Sequence, residues 1–241
     1  MNGPRRAAAF CQLLRDAFAR RPTATCYDRL APRYDTLFGP AQLRHARAMA
    51  DRLSRSDAPF DRALDLGAGT GLLTALLAPF CVETIALDYS APMLREARRR
   101  TSDPRIAFVR GDMHTLPFND DAFDLVTCLG AYSHVEGAGM EDFLEEVRRV
   151  LAPGGLLAIG LTPMPWRMGL FPQSPLAPTR LDRAATQAYN ALMRRLGIDE
   201  HRHPDTAARL TTALSASGFS VSSQSLETLG LVLGRGDCHA R

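Results

Sequence analysis

Hydrophobic and polar positions along the chain change period several times. From residue 61 onward, short apolar runs alternate with segments of helical period. "RALDL", "VETIALD", "RIAFVRGD", "FDLVTCLG" and "GGLLAIGL" read as five buried strands. Between them, "GLLTALLAPF", "SAPMLREARRR" and "MEDFLEEVRRVL" repeat their apolar residues every three or four positions, as helices do. The first of these stops near Pro79, and the second starts with Ser90 as N-cap and Pro92 in its first turn. Strands alternating with helices predict a mostly parallel sheet covered on both faces. Such strands are buried on both sides, so they read as continuous apolar runs.

The flanks follow other patterns. Phe10, Leu13, Leu14 and Phe18 fall at helical spacing and predict an amphipathic helix, not a secretory signal. Pro22 breaks that pattern, "YDRLAPRYDTLF" follows, and a helix is expected from about Gln42 to Leu53. "TPMPWRMGLFPQSPLAP" holds five prolines and cannot be a regular element. The helix predicted after it has Thr179 and Asp182 resembling a capping box and Gly197 at its end. The chain therefore divides into an N-terminal helical lid (1–56), a core (57–161), an insertion over the sheet (162–204) and a closing segment (205–241). That last segment predicts a helix from about Asp205 to Ser217, then "FSVSSQSL" and "TLGLVLG" as an antiparallel edge hairpin.

Composition narrows the picture a little. With 46% apolar residues the chain can bury a substantial core. All 29 basic residues are arginine, so a lysine base or Schiff base is excluded. Five widely spaced cysteines without a C-x-x-C argue for a reducing, cytoplasmic setting rather than a disulfide framework or zinc site. No apolar run is long enough for a membrane span. His201 and His203 in "EHRHP" make a poor metal site without further ligands nearby.

The chemistry concentrates in "LDLGAGTG". Gly67, Gly69 and Gly71 follow the first strand and open a helix. Ligands of open parallel sheets bind beyond the carboxyl ends of the strands, where this turn lies. Gly67 permits a sharp turn, Gly69 lets backbone approach a ligand, and Gly71 lets the next helix pack closely, with Thr70 available as its cap. Asp88 lies 21 positions after Gly67, at the end of the second strand, where an acid accepts hydrogen bonds from ribose hydroxyls. The spacing G-x-G-x-G differs from the dinucleotide pattern G-x-G-x-x-G and disfavours a nucleotide-linked oxidoreductase.

These residues resemble the class I S-adenosylmethionine-dependent methyltransferases. "LDLGAGTG" is similar to their first motif, "GDMHTLPFNDDAFDLVTC" to the following acid, turn and strand, and "VRRVLAPGGLLAIG" to the next helix, turn and strand. "YDRLAPRYDTLF" is similar to the lid of the ubiquinone/menaquinone-biosynthesis branch and its small-molecule (methyltransferase type 11) relatives. The resemblance implies a doubly wound, Rossmann-like α/β fold with a seven-stranded sheet and S-adenosylmethionine as cofactor. It further implies that the backbone of Gly67, Ala68, Gly69 and Gly71 surrounds the methionine part, with Asp65 orienting its amino group through water. Asp88, with Tyr89 beside it, would hold the ribose end. Asp112 and the Met113 N–H would face adenine, the Leu129 carbonyl the ammonium, and Tyr27 and Tyr34 would close over the cofactor.

A general base is needed only if the acceptor loses a proton. His134, in "GAYSHVEG" just past the fourth strand, is the leading candidate, with packing near the cofactor as the plainer alternative. Tyr132 could orient the acceptor, and Tyr34 could serve the site or simply pack. Met164, Trp166, Met168 and Phe171 could roof a hydrophobic or aromatic small-molecule acceptor, or merely pack the insertion. An RNA- or protein-directed enzyme and a non-catalytic partner of the same fold stand as alternatives. The mild net charge of +3 and the lack of a binding module speak against nucleic acid. Monomer and homodimer remain equally open.

Overall fold

The computed structural model describes residues 23–56, 59–132, 135, 139–161, 206–226 and 229–236. The amphipathic helix expected around Phe10–Phe18, His134, the insertion and His201 and His203 lie outside them. In chain order the elements are α1 (Thr23–Leu53), β1 (Phe60–Leu66), α2 (Leu72–Leu77), β2 (Cys81–Asp88), α3 (Ala91–Arg100), β3 (Ile106–Arg110) and β4 (Phe123–Leu129). Then come α4 (Met140–Val150), β5 (Leu151–Leu161), α5 (Thr206–Ala216), β6 (Phe219–Leu226) and β7 (Leu229–Gly236).

The strands form one seven-stranded sheet in the order β3-β2-β1-β4-β5-β7-β6. The first five run parallel, and β7 pairs antiparallel with both β5 and β6. Strand order reverses between β1 and β4, which opens a crevice beyond their carboxyl ends.

Two apolar layers hold the sheet. Side chains alternate across a strand, so consecutive residues feed opposite layers. Leu64, Leu66, Val126, Cys128, Leu157, Ile159 and Val232 pack with Phe143, Leu144 and Val147 of α4 and Leu210 and Leu214 of α5. Ala63, Leu125, Ala158, Leu231 and Leu233 face the other way, onto Ala46, Met49, Ala50 and Leu53 of α1 and Leu73 and Leu77 of α2. α4 shows the local logic well. Glu141 and Asp142 occupy its first turn and Arg148 and Arg149 its last, matching the helix dipole at both ends.

Two elements depart from the sequence reading. α1 runs unbroken for 31 residues through Pro32 and Pro40, where a helix was expected only from about Gln42. An interior proline costs a helix about 3 kcal/mol, but burying several side chains at roughly 1.5–3 kcal/mol each outweighs that. Leu30, Ala31 and Phe38 are buried around the prolines, and Ala46, Met49, Ala50 and Leu53 beyond them. The second departure is β5, which begins at Leu151 and includes the Pro153–Gly155 turn. Its register to β4 shifts between Phe123↔Leu151 and Leu125↔Leu156, so the turn bulges out of a strand already begun.

Candidate functional site

The turn after β1 is held from below and beside. Ala68 N–H donates to the Leu87 carbonyl at 3.0 Å and Gly71 N–H to the Ala68 carbonyl at 2.9 Å. Gly67 has φ +65°, and a Cβ there would stand 2.4 Å from the Ala131 Cβ. A Cβ on Gly71 would stand 2.9 Å from the Cβ of Ala97 in α3, so the third glycine does serve close helix packing. Gly69 lines the cavity with φ +55° and an open Cβ direction, nothing lying nearer than 4.0 Å. Thr70 departs from its expected part. The N-cap of α2 is Gly71, without a side-chain bond, and the Thr70 hydroxyl donates instead to Asp35 Oδ1 at 2.7 Å.

Asp88 closes the turn from the end of β2. Its Oδ2 accepts from Gly69 N–H and its Oδ1 from Ser90 N–H, both at 2.8 Å. Ser90 caps α3 as expected, accepting from Met93 N–H at 3.3 Å. Tyr89 stands 54% exposed at the rim, with the Arg110 guanidinium 5.9 Å from its ring centroid.

Past β3, Asp112 Oδ1 accepts from the His114 N–H at 2.9 Å and from its Nδ1 at 2.8 Å. Burial pushes the Asp112 carboxyl up, but these two bonds and the neighbouring imidazole outweigh it and hold the group below the usual range.

These groups converge on one cavity of about 290 Å³ at the carboxyl ends of four strands. β1 contributes Gly67 and Gly69. β2 contributes Asp88, Tyr89 and Ser90, with Met93 behind. Asp112, Met113 and His114 follow β3, and Leu129, Gly130 and Ala131 end β4. Tyr27 and Tyr34 of α1 complete the wall, their ring centroids 6.3 Å apart. Gln42 Nε2 donates to the Tyr34 hydroxyl at 3.2 Å, and the Phe38 ring lies 5.0 Å away.

Not every expected site residue reaches this cavity. Ala68 and Gly71 lie in the turn but not on the cavity wall. Tyr132 is buried in the layer beneath α4, its hydroxyl 3.7 Å from Met140 Sδ. Asp65 is 1% exposed and sits behind the turn, accepting from Thr74 Oγ1 at 2.6 Å and Thr127 Oγ1 at 2.9 Å. In turn, sequence reasoning missed Ser90, Met93, His114, Gly130 and Ala131 as lining residues. His114 had a local signal, since an aspartate two residues before it readily takes its N–H in a turn.

Burial raises the Asp65 carboxyl from 3.8 to about 6, against the pull of its two threonine bonds. The folded state therefore holds the proton more tightly than the unfolded one. Between pH 4 and 6 folding takes up a proton, and stability falls as pH rises through that window. Asp65→Asn keeps the shape and removes the charge. Urea denaturation at several pH values should show the stability of wild type relative to Asp65→Asn falling by about 2–3 kcal/mol from pH 4 to pH 7, while buried His45, its imidazole pushed down to about 4, acts in the opposite sense and equally in both proteins.

Comparison with known proteins agrees with this geometry. Residues 64–159 match the methyltransferase domain family. Among curated relatives, the demethylmenaquinone methyltransferase of Thermus thermophilus is 41% identical over 149 residues, covering 58% of this chain and 65% of the relative. That of Clavibacter sepedonicus is 35% identical over 153 residues, covering 61% of each. The chain thus spans somewhat under two thirds of the length of these relatives. Among solved structures, DhpI with bound SAH superposes with a TM-score of 0.65 at 25% identity, over 90% of this chain and 96% of that one. The DhpI–SAM–HEP complex gives 0.62 over 88% and 94%.

Fold, turn and sequence match together place the chain among the class I S-adenosylmethionine-dependent methyltransferases. Within that class it resembles the demethylmenaquinone methyltransferases in sequence.

Proposed function

We propose that this chain transfers a methyl group from S-adenosylmethionine to a small, hydrophobic or aromatic acceptor. One observation carries the reading: the glycine turn, Asp88, Asp112 and two lid tyrosines line the same cavity at the strand-order reversal. The residues suit the cofactor. Asp88, oriented by two backbone N–H groups on the cavity wall, would accept from the ribose diol. Asp112, fixed by His114, accepts from the adenine amino group, with the Met113 N–H available to the ring. The Leu129 carbonyl would accept from the ammonium, and the backbone of Gly67 and Gly69 would follow the methionine part.

When bound, the cofactor supplies a methyl group activated by a sulfonium. The chain's own part is alignment and exclusion of water. Holding two reactants in line can contribute as much as about 7–11 kcal/mol. Tyr27 and Tyr34 cover the cavity from α1, which lowers the local dielectric. His134 is proposed as the proton acceptor where the acceptor molecule needs one. If so, His134→Ala lowers the rate by about a hundredfold or more and removes the acid-side limb of the pH profile.

The relatives named as demethylmenaquinone methyltransferases support a quinone-like ring as the first acceptor to try. The test is transfer of tritium from methyl-labelled S-adenosylmethionine to a panel of demethylmenaquinone, simple phenols, RNA and denatured protein. Label is expected in the organic extract. Label confined to RNA or protein would overturn the small-molecule reading.

A further inference from the structure

The segment "YDRLAPRYD" carries a Tyr–Asp pair twice, Tyr27–Asp28 and Tyr34–Asp35, seven residues apart. Seven residues make nearly two helical turns, so both pairs fall on one side of α1. In each pair the tyrosine lines the cavity, and the aspartate bonds a hydroxyl on a loop that borders it. Asp28 Oδ1 accepts from Ser90 Oγ at 2.6 Å, and Ser90 in turn caps α3. Asp35 Oδ1 accepts from Thr70 Oγ1 at 2.7 Å, inside the glycine turn. Its Oδ2 pairs with Arg100, the last residue of α3, and Arg100 Nε donates to the Thr70 carbonyl at 2.6 Å. Asp35, Thr70 and Arg100 thus close a ring of bonds that joins three chain segments.

The two halves of α1 are held differently. The half beyond His45 is anchored by a run of fully buried apolar residues. Among the described side chains between Tyr27 and Phe38, Leu30, Ala31 and Phe38 are buried, and Pro32 interrupts the backbone bonding of that stretch. The side chains of Asp35 and Arg100 are 43% and 27% exposed. Water can replace such bonds readily, because exposed ion pairs add little net stability.

We infer that Asp28 and Asp35 are positioning residues: they latch the tyrosine-bearing half of α1 onto the two cofactor-binding loops, and releasing them is what opens the site for cofactor exchange. The inference rests on the cavity being the cofactor site. Each loop that holds the cofactor also holds one latch, so cofactor contacts and lid closure support each other. The carboxylates touch the loops and leave the reacting atoms to other groups. Their loss should alter cofactor retention while leaving the chemical step largely intact.

The experiment follows dissociation of S-adenosylhomocysteine from the full chain by surface plasmon resonance. Wild type, Asp28→Asn, Asp35→Asn, the double variant and Asp35→Glu are compared. If the closed form drops to about a tenth of the population, apparent affinity drops about tenfold. The double variant is expected to release ligand about tenfold faster, with KM for S-adenosylmethionine raised and kcat little changed. Asp35→Glu should recover most of the wild-type rate. S-adenosylhomocysteine has no net charge, so salt acts mainly on the protein. Raising NaCl from about 0.1 to about 1 M shortens the screening length from about 10 to about 3 Å. Wild-type dissociation should quicken over that range, and the double variant should barely respond.

A merely structural role would lower the thermal midpoint without that salt response. Variant rates within about twofold of wild type, or a wild-type rate flat in salt, would overturn the latch. The salt titration of wild type needs no variant and decides the matter even if the substitutions impair folding. Failure of wild type to bind S-adenosylhomocysteine at all is a separate result and overturns the cofactor reading itself.

Discussion

Asp88→Ala is expected to reduce binding of S-adenosylhomocysteine at least a hundredfold while leaving the chain folded. Two losses combine. The ribose hydroxyls lose an ionised acceptor, and hydrogen bonds to charged groups contribute about 1.5–3 kcal/mol each. The turn also loses its brace, because Gly69 N–H and Ser90 N–H both donate to this one carboxylate. A total of about 3 kcal/mol corresponds to roughly a hundredfold in affinity. Asp88→Asn separates the two contributions. Its amide oxygen can still accept from one backbone N–H, but its NH2 group faces the other, so the brace is half lost. Isothermal titration should rank wild type above Asp88→Asn and Asp88→Asn above Asp88→Ala. Wild-type affinity in Asp88→Ala would mean that the cavity is not the cofactor site.

Gly67→Ala should be the most damaging single methyl group in the described fold. Its backbone has φ +65°, a conformation that costs an L-residue about 1–2 kcal/mol. The new Cβ would also lie 2.4 Å from the Ala131 Cβ, on the segment that leaves β4. Neither carbon has a torsion that could relieve the clash, so backbone must move, at a typical cost of about 1–3 kcal/mol for overpacking. Urea denaturation should show a loss of about 2–5 kcal/mol. Adding Ala131→Gly removes the opposing methyl and should restore the overpacking share, leaving the backbone share behind. The two substitutions are then non-additive, as expected for residues in direct contact. Equal losses in the single and double variants would show that the clash is not the cause.

The two variants differ in what they disturb. Asp88 braces the turn by hydrogen bonds that a ligand can partly replace, so its loss falls mainly on binding. Gly67 shapes the backbone that β1 and β4 share, so its loss falls on the fold first. Both residues were legible in the sequence, and for the same reason. A strand, three glycines, a helix and an acid at fixed spacing are local features, and each is dictated by its own neighbourhood. The strand and helix alternation was legible likewise, since burial on both faces and on one face leave different periods.

Other features depended on partners distant in the chain. A helix read locally as starting only near Gln42, yet α1 runs from Thr23 through Pro32 and Pro40 because its buried side chains find α2, α3 and the sheet. Thr70 read as a helix cap, but the nearest strong acceptor is Asp35, on an element 35 residues earlier. Asp65 read as orienting the cofactor's amino group through water, and the fold buries its carboxylate between Thr74 and Thr127. His114 went unnoticed because it is a short polar step in a turn until the fold sets that turn beside the cavity.

The sequence by itself determined the α/β class, the glycine turn and its partner acid, because each follows from periods and spacings within a few tens of residues. Only the tertiary structure decided the strand order, the unbroken lid helix and the latching of its aspartates. Those depend on which buried surfaces and which donors meet across long stretches of chain, and local pattern carries no record of that.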